Sequence, residues 1–302
     1  MVENMNKKMT LLCAAKINLS LDVTGKRPDH YHTLDSIFQT VSVYDRLEID
    51  LTDGEEISLV CDTPSVPCDQ TNLAYRAAQA FVEKSGLRAG IKIRLEKQIP
   101  SGAGMGGGSA DAAGVLYALN LLTGEKYSNQ ELREIGVTLG ADVPFLLLGG
   151  TARAKGIGEE LTALKPLPEW PLVILKGTES ISTPAAYHAI DSLINPQHPD
   201  TDSMLNAVEN QDFDLLCQNC SNLFESVTDC QDVVRAEKAL REHGAECAVM
   251  TGSGAAVFGI FRNPETAQSC ADSLKEDFAF VQACHLTGQG FPDTGIKAGG
   301  IL

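Results

Sequence analysis

The chain carries little positive charge for its size. Its 302 residues include 24 lysines and arginines against 40 aspartates and glutamates, and the formal net charge is −16. Such a balance repels the phosphate backbone of nucleic acids and anionic membrane surfaces, so we expect neither as a partner. A phosphate-binding site in this chain must therefore be made locally positive by backbone amides, a few lysines and a metal ion carried by a nucleotide.

Long hydrophobic runs are missing as well. The longest, such as residues 143–148, fall far below the ~18 residues needed to cross a bilayer, and no apolar segment follows the polar start of the chain. The hydrophobic content of 43% is nevertheless sufficient for a sizeable core. We expect two domains, 1–160 and 161–302, with the final strand as a candidate to return to the first.

The cysteines lack a pairing pattern. There are nine, and an odd number excludes a complete disulfide framework, which favours a reducing, cytoplasmic compartment. The CxxC motif from Cys217 to Cys220 lies in a helical pattern and has no second pair of ligands. We therefore predict two buried helix residues there, not a metal or redox site.

Glycine is concentrated at one place. Residues 102–108 contain five glycines in seven positions, between a predicted strand over 91–97 and a strongly periodic helical pattern over 112–122. Glycine takes positive φ without steric cost, so successive amides can converge on an anion, and the N-terminus of a helix adds the positive end of its dipole. The segment therefore predicts a phosphate-binding loop.

Three other interpretations of this loop are weaker. The pattern Gly102-x-Gly104-x-x-Gly107 matches the dinucleotide-binding fingerprint, but the strand before it alternates apolar and charged residues, and Glu125, at about the right offset for the acidic residue, follows a helix. A P-loop would need a lysine at Gly108. A flexible linker is not normally placed between a strand and a periodic helix.

Further elements of the first half flank this loop. Residues 17–23 alternate apolar and polar and predict a half-buried strand, whose polar side, taken alone, is most simply a solvated face. That side consists of Lys16, Asn18, Ser20 and Asp22. The other predicted elements are strands over 33–43, 46–51 and 56–60, a helix over 72–83 with Thr71 as a candidate cap, a helix over 129–138 and a strand over 146–154.

The second half predicts an α-β-β-α-β order at its end. A strand over 172–175 and a helix beginning at residues 182–184 and carrying Tyr187 come first. The following predicted elements are helices over 212–224 and 231–243, a hairpin over 247–260, a helix over 264–276 and a strand over 279–284. This order favours helices packed on one face of an antiparallel sheet.

Three segments of the chain together resemble the GHMP kinase family, named for galactokinase, homoserine kinase, mevalonate kinase and phosphomevalonate kinase. They are residues 15–19 (AKINL), the glycine loop at 100–110, and residues 250–255 (MTGSGA), which occur in the family's order along essentially the whole chain. Residues 25–34 and 139–144 (LGADVP) are similar to the branch of the family that acts on a cytidine diphosphate-linked polyol.

The resemblance implies an α+β fold with an N-terminal ATP-binding domain and a C-terminal, ferredoxin-like substrate domain. It implies a kinase that transfers the γ-phosphoryl group of ATP, with Mg²⁺, to the 2-hydroxyl of the methylerythritol part of the substrate, in the non-mevalonate route to isoprenoids. It further implies small-molecule partners and a monomer or homodimer in the cytoplasm.

The resemblance also assigns site residues. Asp142 falls on the family's catalytic base and Lys16 on its partner, which fits a carboxylate that accepts a hydroxyl proton beside an ammonium group. From the sequence alone, Asp142 is alternatively a turn residue that bonds nearby backbone amides. The ATP-binding residues implied are Pro100, Ser101, Gly102, Ala103, Gly104, Met105, Gly106, Gly107, Gly108, Ser109, Ala110 and Asn72. The substrate-binding residues implied are Asn18, Tyr31, His32, Thr183 and Tyr187. The two tyrosine rings would sandwich the base, with His32 at its edge.

The chain departs from the family pattern at three positions. His30 stands where a glycine that tolerates positive φ is usual, which bears on the aim of Tyr31. Met105 and Ala110 replace the more usual leucine and serine, so that bulk is kept at the first and a hydroxyl near the phosphates or Mg²⁺ is lost at the second.

Two other functions stay open at this point. One is a GHMP kinase for homoserine or mevalonate, although such small alcohols need no pair of aromatic rings. The other is a nucleotide-binding oxidoreductase or a binding module without catalysis. Release of ADP only in the presence of an acceptor would exclude this second class.

Overall fold

The structure, a computed structural model, describes residues 7–292. Its strands are β1 (Lys7–Lys26), β2 (His32–Thr52), β3 (Ile57–Cys61), β4 (Gly90–Glu96), β5 (Thr151–Lys155), β6 (Glu160–Ala163), β7 (Pro171–Lys176), β8 (Ser221–Asn222), β9 (Cys247–Met250), β10 (Val257–Ile260) and β11 (Phe280–His285). Its helices are α1 (Leu73–Ser85), α2 (Gly107–Leu122), α3 (Asn129–Leu139), α4 (Val143–Leu148), α5 (Thr183–Ile190), α6 (Thr201–Asn210), α7 (Phe213–Asn219), α8 (Gln231–Glu242) and α9 (Pro264–Leu274).

A long antiparallel hairpin of β1 and β2 forms the centre of the first sheet. Its register shifts between Ala14 and Ala15 and again between Asn18 and Ser20. Such bulges bend a strand and re-aim its side chains. The two strands predicted over 33–43 and 46–51 are one continuous strand, β2. The turn expected between them does not form, because β1 stays paired with β2 through residues 44–46.

The polar side of β1 is buried, so the expectation of a solvated face is wrong. Its members, Lys16, Asn18, Ser20 and Asp22, are at most 7% exposed. Two other parts of the chain cover them. The amide of Lys16 donates to the carbonyl of Met105 in the glycine loop at 3.0 Å, and β8 pairs in parallel with β1 where Ser20 lies opposite Ser221.

The first sheet has the order β3-β4-β2-β1-β8, and β5 joins residues 36–39 of β2 to β6. Helix α2 packs directly on this sheet, since a Cβ at Gly114 would lie 2.8 Å from Cδ2 of Leu47. Helices α1 and α3 contact α2 in turn. The close approach of α2 holds its first turn, and the glycine loop before it, against β1.

The second sheet is antiparallel, in the order β11-β7-β10-β9, and helices cover both of its faces. On one face, Leu175, Met250 and Val257 belong to the buried cluster of α8 and α9. On the other, Ile174 and Phe258 belong to the cluster that includes α6 and α7. The two helices of the predicted α-β-β-α-β order, α8 and α9, therefore pack on one face of the sheet, as expected. The other face needs a cover as well, because β7, β9 and β10 are apolar on both sides.

The strand predicted over 146–154 is wrong in its first half. Residues 143–148 form helix α4, and β5 begins only after Gly149 and Gly150, which have φ of 70° and 74°. An apolar run of this length has no periodicity that distinguishes a strand from a buried helix. The two glycines supply the left-handed backbone that turns the chain from the helix into the strand.

Two other boundaries differ from the prediction. The helix predicted over 212–224 ends at Asn219, because the next residues pair with β1 as β8 and then form a 3₁₀ turn at Leu223–Ser226. The N-cap of α1 is Asn72 and not Thr71.

After β11 the chain crosses to the first sheet. Leu286 bridges to Val41, and the amide of Thr287 donates to the carbonyl of Thr40 at 3.0 Å. The strand itself stays in the second sheet, so only the segment after it makes the return. The domain boundary near residue 160 stays a prediction; that residue begins β6 in the first sheet.

The structure also bears on the expectations about membrane-spanning segments, cysteines and metal ligands. No helix within residues 7–292 has the length and apolar character needed to cross a membrane. The nine cysteines are free thiols. Cys217 lies in α7 and Cys220 is the residue that ends it, so only the first of the pair is a helix residue, and both contact Cys247. Among the described residues, no group of three or more His, Cys, Asp or Glu side chains is arranged to hold a metal ion.

Candidate active site

Three adjoining cavities form one cleft. The inner cavity, about 340 Å³, is lined by the glycine loop (residues 100–108). The middle cavity, about 310 Å³, contains Lys16 and Asp142 and shares two loop glycines with the inner one. The outer cavity, about 540 Å³, shares Thr183 and Tyr187 with the middle one. Of the predicted site residues, Asn72 and Pro100 to Gly108 line the inner cavity, Lys16, Asn18, Ser109 and Asp142 the middle one, Tyr31, His32, Thr183 and Tyr187 the outer one, and Ala110 is buried outside all three.

The glycine loop leaves its amides free. Gly102, Gly104 and Gly106 have φ of 61°, 73° and 71°. The carbonyl of Gly102 accepts from the amide of Ala255 at 3.3 Å, and that of Gly104 accepts from Oγ1 of Thr251 at 3.4 Å. No amide of the loop donates a hydrogen bond to a described residue. Free amides that lead directly into the N-terminus of α2 make this loop suited to an anion such as phosphate.

Gly104 is where the loop touches the second half of the chain. A Cβ at this position would overlap the carbonyl oxygen of Thr251 and lie 3.2 Å from Cα of Gly252. The left-handed φ and the lack of space both require glycine. The loop is therefore held in place by backbone contact with the segment after β9.

Lys16 and Asp142 face each other in the middle cavity. Nζ of Lys16 lies 3.9 Å from Oδ2 of Asp142, 2.9 Å from Oδ1 of Asn18 and 4.8 Å from the centroid of the Phe38 ring. The lysine side chain is 5% exposed and the aspartate side chain 32%. Asp142 is the N-cap residue of α4 but makes no capping hydrogen bond, so its carboxylate is not engaged as the turn interpretation requires. An accessible carboxylate beside a buried ammonium group is suited to accept a proton from a ligand.

Asn18 connects β1 to the segment after β9. Its Oδ1 accepts from Nζ of Lys16 at 2.9 Å, from the amide of Gly252 at 3.0 Å and from Oγ1 of Thr251 at 3.2 Å. Its Nδ2 donates to Oγ of Ser36 at 2.9 Å. One N–H of this amide remains for a ligand. The contact of Asn18 with substrate hydroxyls stays a prediction, and the sequence did not indicate its role in joining these segments.

A buried cluster of three charges lies beside the inner cavity and was missed in the sequence. Nζ of Lys97 contacts the carboxylate of Asp45 and lies 2.5 Å from Oδ2 of Asp111. Asp45 also accepts from the amides of Gln98 and Ile99, which lead into the glycine loop. Burial raises the pKa of Asp111 to about 7; the charge of Lys97 opposes this rise and that of Asp45 adds to it. One ammonium group thus faces two carboxylates. The only sign of this cluster in the sequence was Asp111 itself, an aspartate in a helix rich in alanine and glycine.

His32 and Tyr187 stack on each other in the outer cavity. Their ring centroids are 4.6 Å apart and their planes differ by 17°. Phe224 meets Tyr187 edge-on at 5.0 Å, and burial raises the pKa of the Tyr187 hydroxyl to about 12. Tyr31 lines the same cavity and is 61% exposed. His32 covers one face of the Tyr187 ring, and the sandwich of a base between the two tyrosines stays a prediction.

His30 adopts left-handed backbone, at the position where the sequence resemblance implies a glycine. Its φ is 70°. Its amide donates to the carbonyl of Arg27 at 3.0 Å, and the amide of Arg27 donates to the carbonyl of Tyr31 at 2.7 Å. These two hydrogen bonds close the turn and offset the cost of the left-handed backbone at His30, about 1 kcal/mol. They also hold Tyr31 beside the cavity.

Asp191, which directly follows α5, is a further charged residue that the sequence pattern did not reveal. Its carboxylate lies 2.7 Å from Nε2 of His32 and 2.5 Å from Nζ of Lys26. It stands four positions after Tyr187, and residues at that spacing share one face of a helix. That spacing was the signal by which it could have been found.

Thr183 and Asn72 use their polar atoms within the protein. Oγ1 of Thr183 lies 2.7 Å from Oγ of Ser253. Oδ1 of Asn72 accepts from the amide of Ala74 at 2.8 Å, and its Nδ2 donates to the carbonyl of Pro67 at 2.7 Å. Each side chain keeps some hydrogen-bonding capacity for a ligand, and their binding roles stay predictions.

Comparison with known proteins shows which family shares this arrangement. The model of the N-terminal domain of GHMP kinases matches residues 72–150, and that of the C-terminal domain matches residues 204–279. The 4-diphosphocytidyl-2-C-methyl-D-erythritol kinase of Caldicellulosiruptor saccharolyticus is 44% identical over 92% of this chain and 96% of its own.

Solved structures agree with these matches. The crystal structure of a 4-(cytidine 5'-diphospho)-2C-methyl-D-erythritol kinase has a TM-score of 0.79 at 34% identity, over 93% of this chain and 100% of that one. Homoserine kinase from Cytophaga hutchinsonii has a TM-score of 0.77 at 19% identity, over 97% of this chain and 99% of its own, which shows a common fold alone. The predicted α+β fold of GHMP kinase type is confirmed.

Proposed function

The chain belongs to the family of 4-diphosphocytidyl-2-C-methyl-D-erythritol kinases within the GHMP kinases, and from this membership we infer the reaction that its cleft performs. It is a phosphotransferase that moves the γ-phosphoryl group of ATP to the 2-hydroxyl of 4-diphosphocytidyl-2-C-methyl-D-erythritol, in the non-mevalonate route to isoprenoids. The observation that supports a separate role for each part of the cleft is the row of three cavities, with Lys16 and Asp142 in the middle one.

The inner cavity is the proposed site of the nucleotide. The free amides of the glycine loop and the N-terminus of α2 bind the phosphates of ATP. They are needed because the chain, with a net charge of −16, has few basic side chains to bind phosphate. Lys16 is close to the same loop, since a Cβ at Gly106 would lie 3.3 Å from its Cγ. Its ammonium group therefore adds a positive charge where the phosphates enter the middle cavity.

Asp142 is the proposed base. As the oxygen of the acceptor hydroxyl bonds to the γ-phosphorus, the bond from that phosphorus to the bridging oxygen breaks and ADP leaves. The hydroxyl proton passes to the carboxylate of Asp142, and the ammonium group of Lys16, 3.9 Å from that carboxylate, offsets the negative charge that develops beside it. Transfer of a phosphoryl group depends mainly on positioning, which the fixed distance between these two side chains supplies.

Mg²⁺ enters the proposal as the companion of ATP. The described residues offer no cluster of three carboxylate, imidazole or thiolate ligands, whereas the middle cavity offers the oxygen atoms of Asp142 and Ser109. Hard oxygen donors of this kind fit Mg²⁺, which is usually held by one or two protein groups and the phosphates. When bound, the ion would neutralise charge on the transferred group.

The outer cavity is the proposed site of the cytidine part of the acceptor. Tyr31, His32 and Tyr187 offer aromatic faces, and Thr183 lies where the outer and middle cavities join. Asn18, in the middle cavity, has one N–H for the polyol. We place the enzyme in the cytoplasm on its nine free thiols; its oligomeric state stays a prediction.

A screen of acceptors tests the function. ADP release is measured with ATP and Mg²⁺ in the presence of the cytidine diphosphate compound, homoserine, mevalonate or galactose, one at a time. We expect release with the first alone and a product heavier by one phosphate. Turnover of homoserine or mevalonate instead would assign the chain to another branch of the fold, and binding of ATP with no turnover of any acceptor would reject the kinase assignment.

A further inference from the structure

The carboxylate of Asp191 stands where its own helix does not favour it. Asp191 is the residue that ends α5, and a negative charge at the C-terminus of a helix is opposed by the helix dipole. The compensation comes from the β1–β2 hairpin, where Lys26 and His32 contact the two carboxylate oxygens at 2.5 Å and 2.7 Å. Hydrogen bonds from Lys26 and then from His32 lower the pKa of Asp191 to about 2, so the group is a carboxylate at neutral pH.

This contact defines which ring nitrogen of His32 carries a hydrogen. An ionised carboxylate only accepts hydrogen bonds, so Nε2 of His32 must donate to Oδ1 of Asp191. In the neutral ring, Nδ1 is then the acceptor. Nδ1 has no hydrogen-bond partner among the described residues, and stacking on Tyr187 restricts rotation of the ring.

The orientation matters for recognition of the base. Cytosine carries an amino group where uracil carries a carbonyl oxygen, and the two rings otherwise have the same shape. A ring nitrogen that can only accept a hydrogen bond pairs with the amino group of cytosine, whereas it repels the carbonyl oxygen of uracil. A ring free to exchange its tautomer would accept either base.

We propose that Asp191 is a positioning residue that fixes the tautomer of His32 and thereby gives the enzyme its preference for a cytidine over a uridine substrate. The inference rests on the proposed function of the outer cavity. It adds a residue that acts through His32 and does not itself contact the reacting atoms.

Three variants test the proposal: Asp191→Ala, Asp191→Asn and Lys26→Ala. Initial rates are measured with the cytidine diphosphate compound and with its uridine analogue, each over a range of concentrations at saturating ATP. We expect Asp191→Ala to lower the cytidine-to-uridine ratio of kcat/KM about ten-fold, the effect of one hydrogen-bonded pair, through KM and with little change in kcat or in KM for ATP. Asp191→Asn keeps an oxygen that accepts from Nε2 and should retain most of the ratio.

Lys26→Ala is the matched control, because it removes the other partner of the same carboxylate and leaves the histidine contact. It should change KM for both substrates alike and keep the ratio. If Asp191→Ala changes both substrates alike as well, the carboxylate only ties α5 to the hairpin and the proposal is overturned. Failure of the unmodified protein to turn over the cytidine compound would instead reject the proposed function itself.

Discussion

Substitution of Gly104 by alanine tests whether backbone contact holds the glycine loop in its binding conformation. The change adds one methyl group at a residue with φ of 73°, directed at the carbonyl oxygen of Thr251 and 2.9 Å from its carbonyl carbon. Backbone atoms cannot yield as a flexible side chain can. The loop and the Thr251 segment must therefore move apart by about 1 Å to restore an ordinary contact distance.

The cost has two parts, and Gly86 separates them. Left-handed backbone costs a residue with a Cβ about 1–2 kcal/mol, which is the whole penalty at Gly86, where φ is 66° and a Cβ meets nothing within 4 Å. At Gly104 the separation also weakens the two hydrogen bonds of Oγ1 of Thr251 with Asn18, at 3.1 Å and 3.2 Å, each worth about 1 kcal/mol. We expect a loss of about 3–4 kcal/mol for Gly104→Ala.

Thermal unfolding and nucleotide binding are measured on both variants. At about 2–4 °C per kcal/mol, Gly86→Ala should lower Tm by about 2–8 °C and Gly104→Ala by about twice that amount or more. KM for ATP should rise at least ten-fold in Gly104→Ala at a temperature where it is folded, and stay unchanged in Gly86→Ala, which lies at the far end of α1. Equal effects of the two substitutions on Tm and KM would refute the argument.

Three further predictions concern the other cavities and the buried charges. Asp142→Asn should keep the fold and ATP binding and lower kcat about 10²–10⁴-fold, whereas near-normal turnover would remove Asp142 as the base. Tyr187→Ala should raise KM for the cytidine substrate about ten- to a hundred-fold, by loss of about 1–3 kcal/mol of stacking, and an equal rise in KM for ATP would point to general damage instead. Asp111→Asn should raise Tm at pH 8 by about 2–4 °C, and this gain should shrink as the pH falls and vanish only below the ordinary pKa of 3.8, where the carboxyl group is protonated in the folded and unfolded chain alike; a gain independent of pH would contradict the raised pKa of Asp111.

The sign of the last prediction follows from linkage. The native pKa of Asp111, about 7, lies above the ordinary value of 3.8, so between these values the folded protein holds a proton that the unfolded chain releases. The stabilisation that the protonated carboxyl group contributes is fully present below the ordinary pKa of 3.8 and is lost as pH rises toward 7. The neutral amide of asparagine removes that dependence while it keeps an oxygen for Lys97.

Local patterns in the sequence determined the elements that lie nearest the chemistry. Five glycines before a periodic helix predicted a loop for phosphate, and the structure shows free amides there because glycine alone allows the alternating backbone of Gly102, Gly104 and Gly106. The alternation after residue 17 predicted β1, and the hydroxyl and proline at residues 182–184 predicted α5. Such features depend on the φ preferences and spacing of neighbouring residues, which a sequence displays directly.

Only the tertiary structure decided which polar groups are buried and what they contact. Asp45 and Lys97 are 52 positions apart, and His32 and Asp191 are 159 apart, so no local pattern relates them. The polar side of β1 has the alternation of a solvated strand, yet the glycine loop and β8 cover it. Residues 143–148 likewise fit strand or helix until packing against the rest of the core selects the helix. Burial and pairing are properties of distant segments brought together, and the free energy that selects among locally equivalent conformations comes from those contacts.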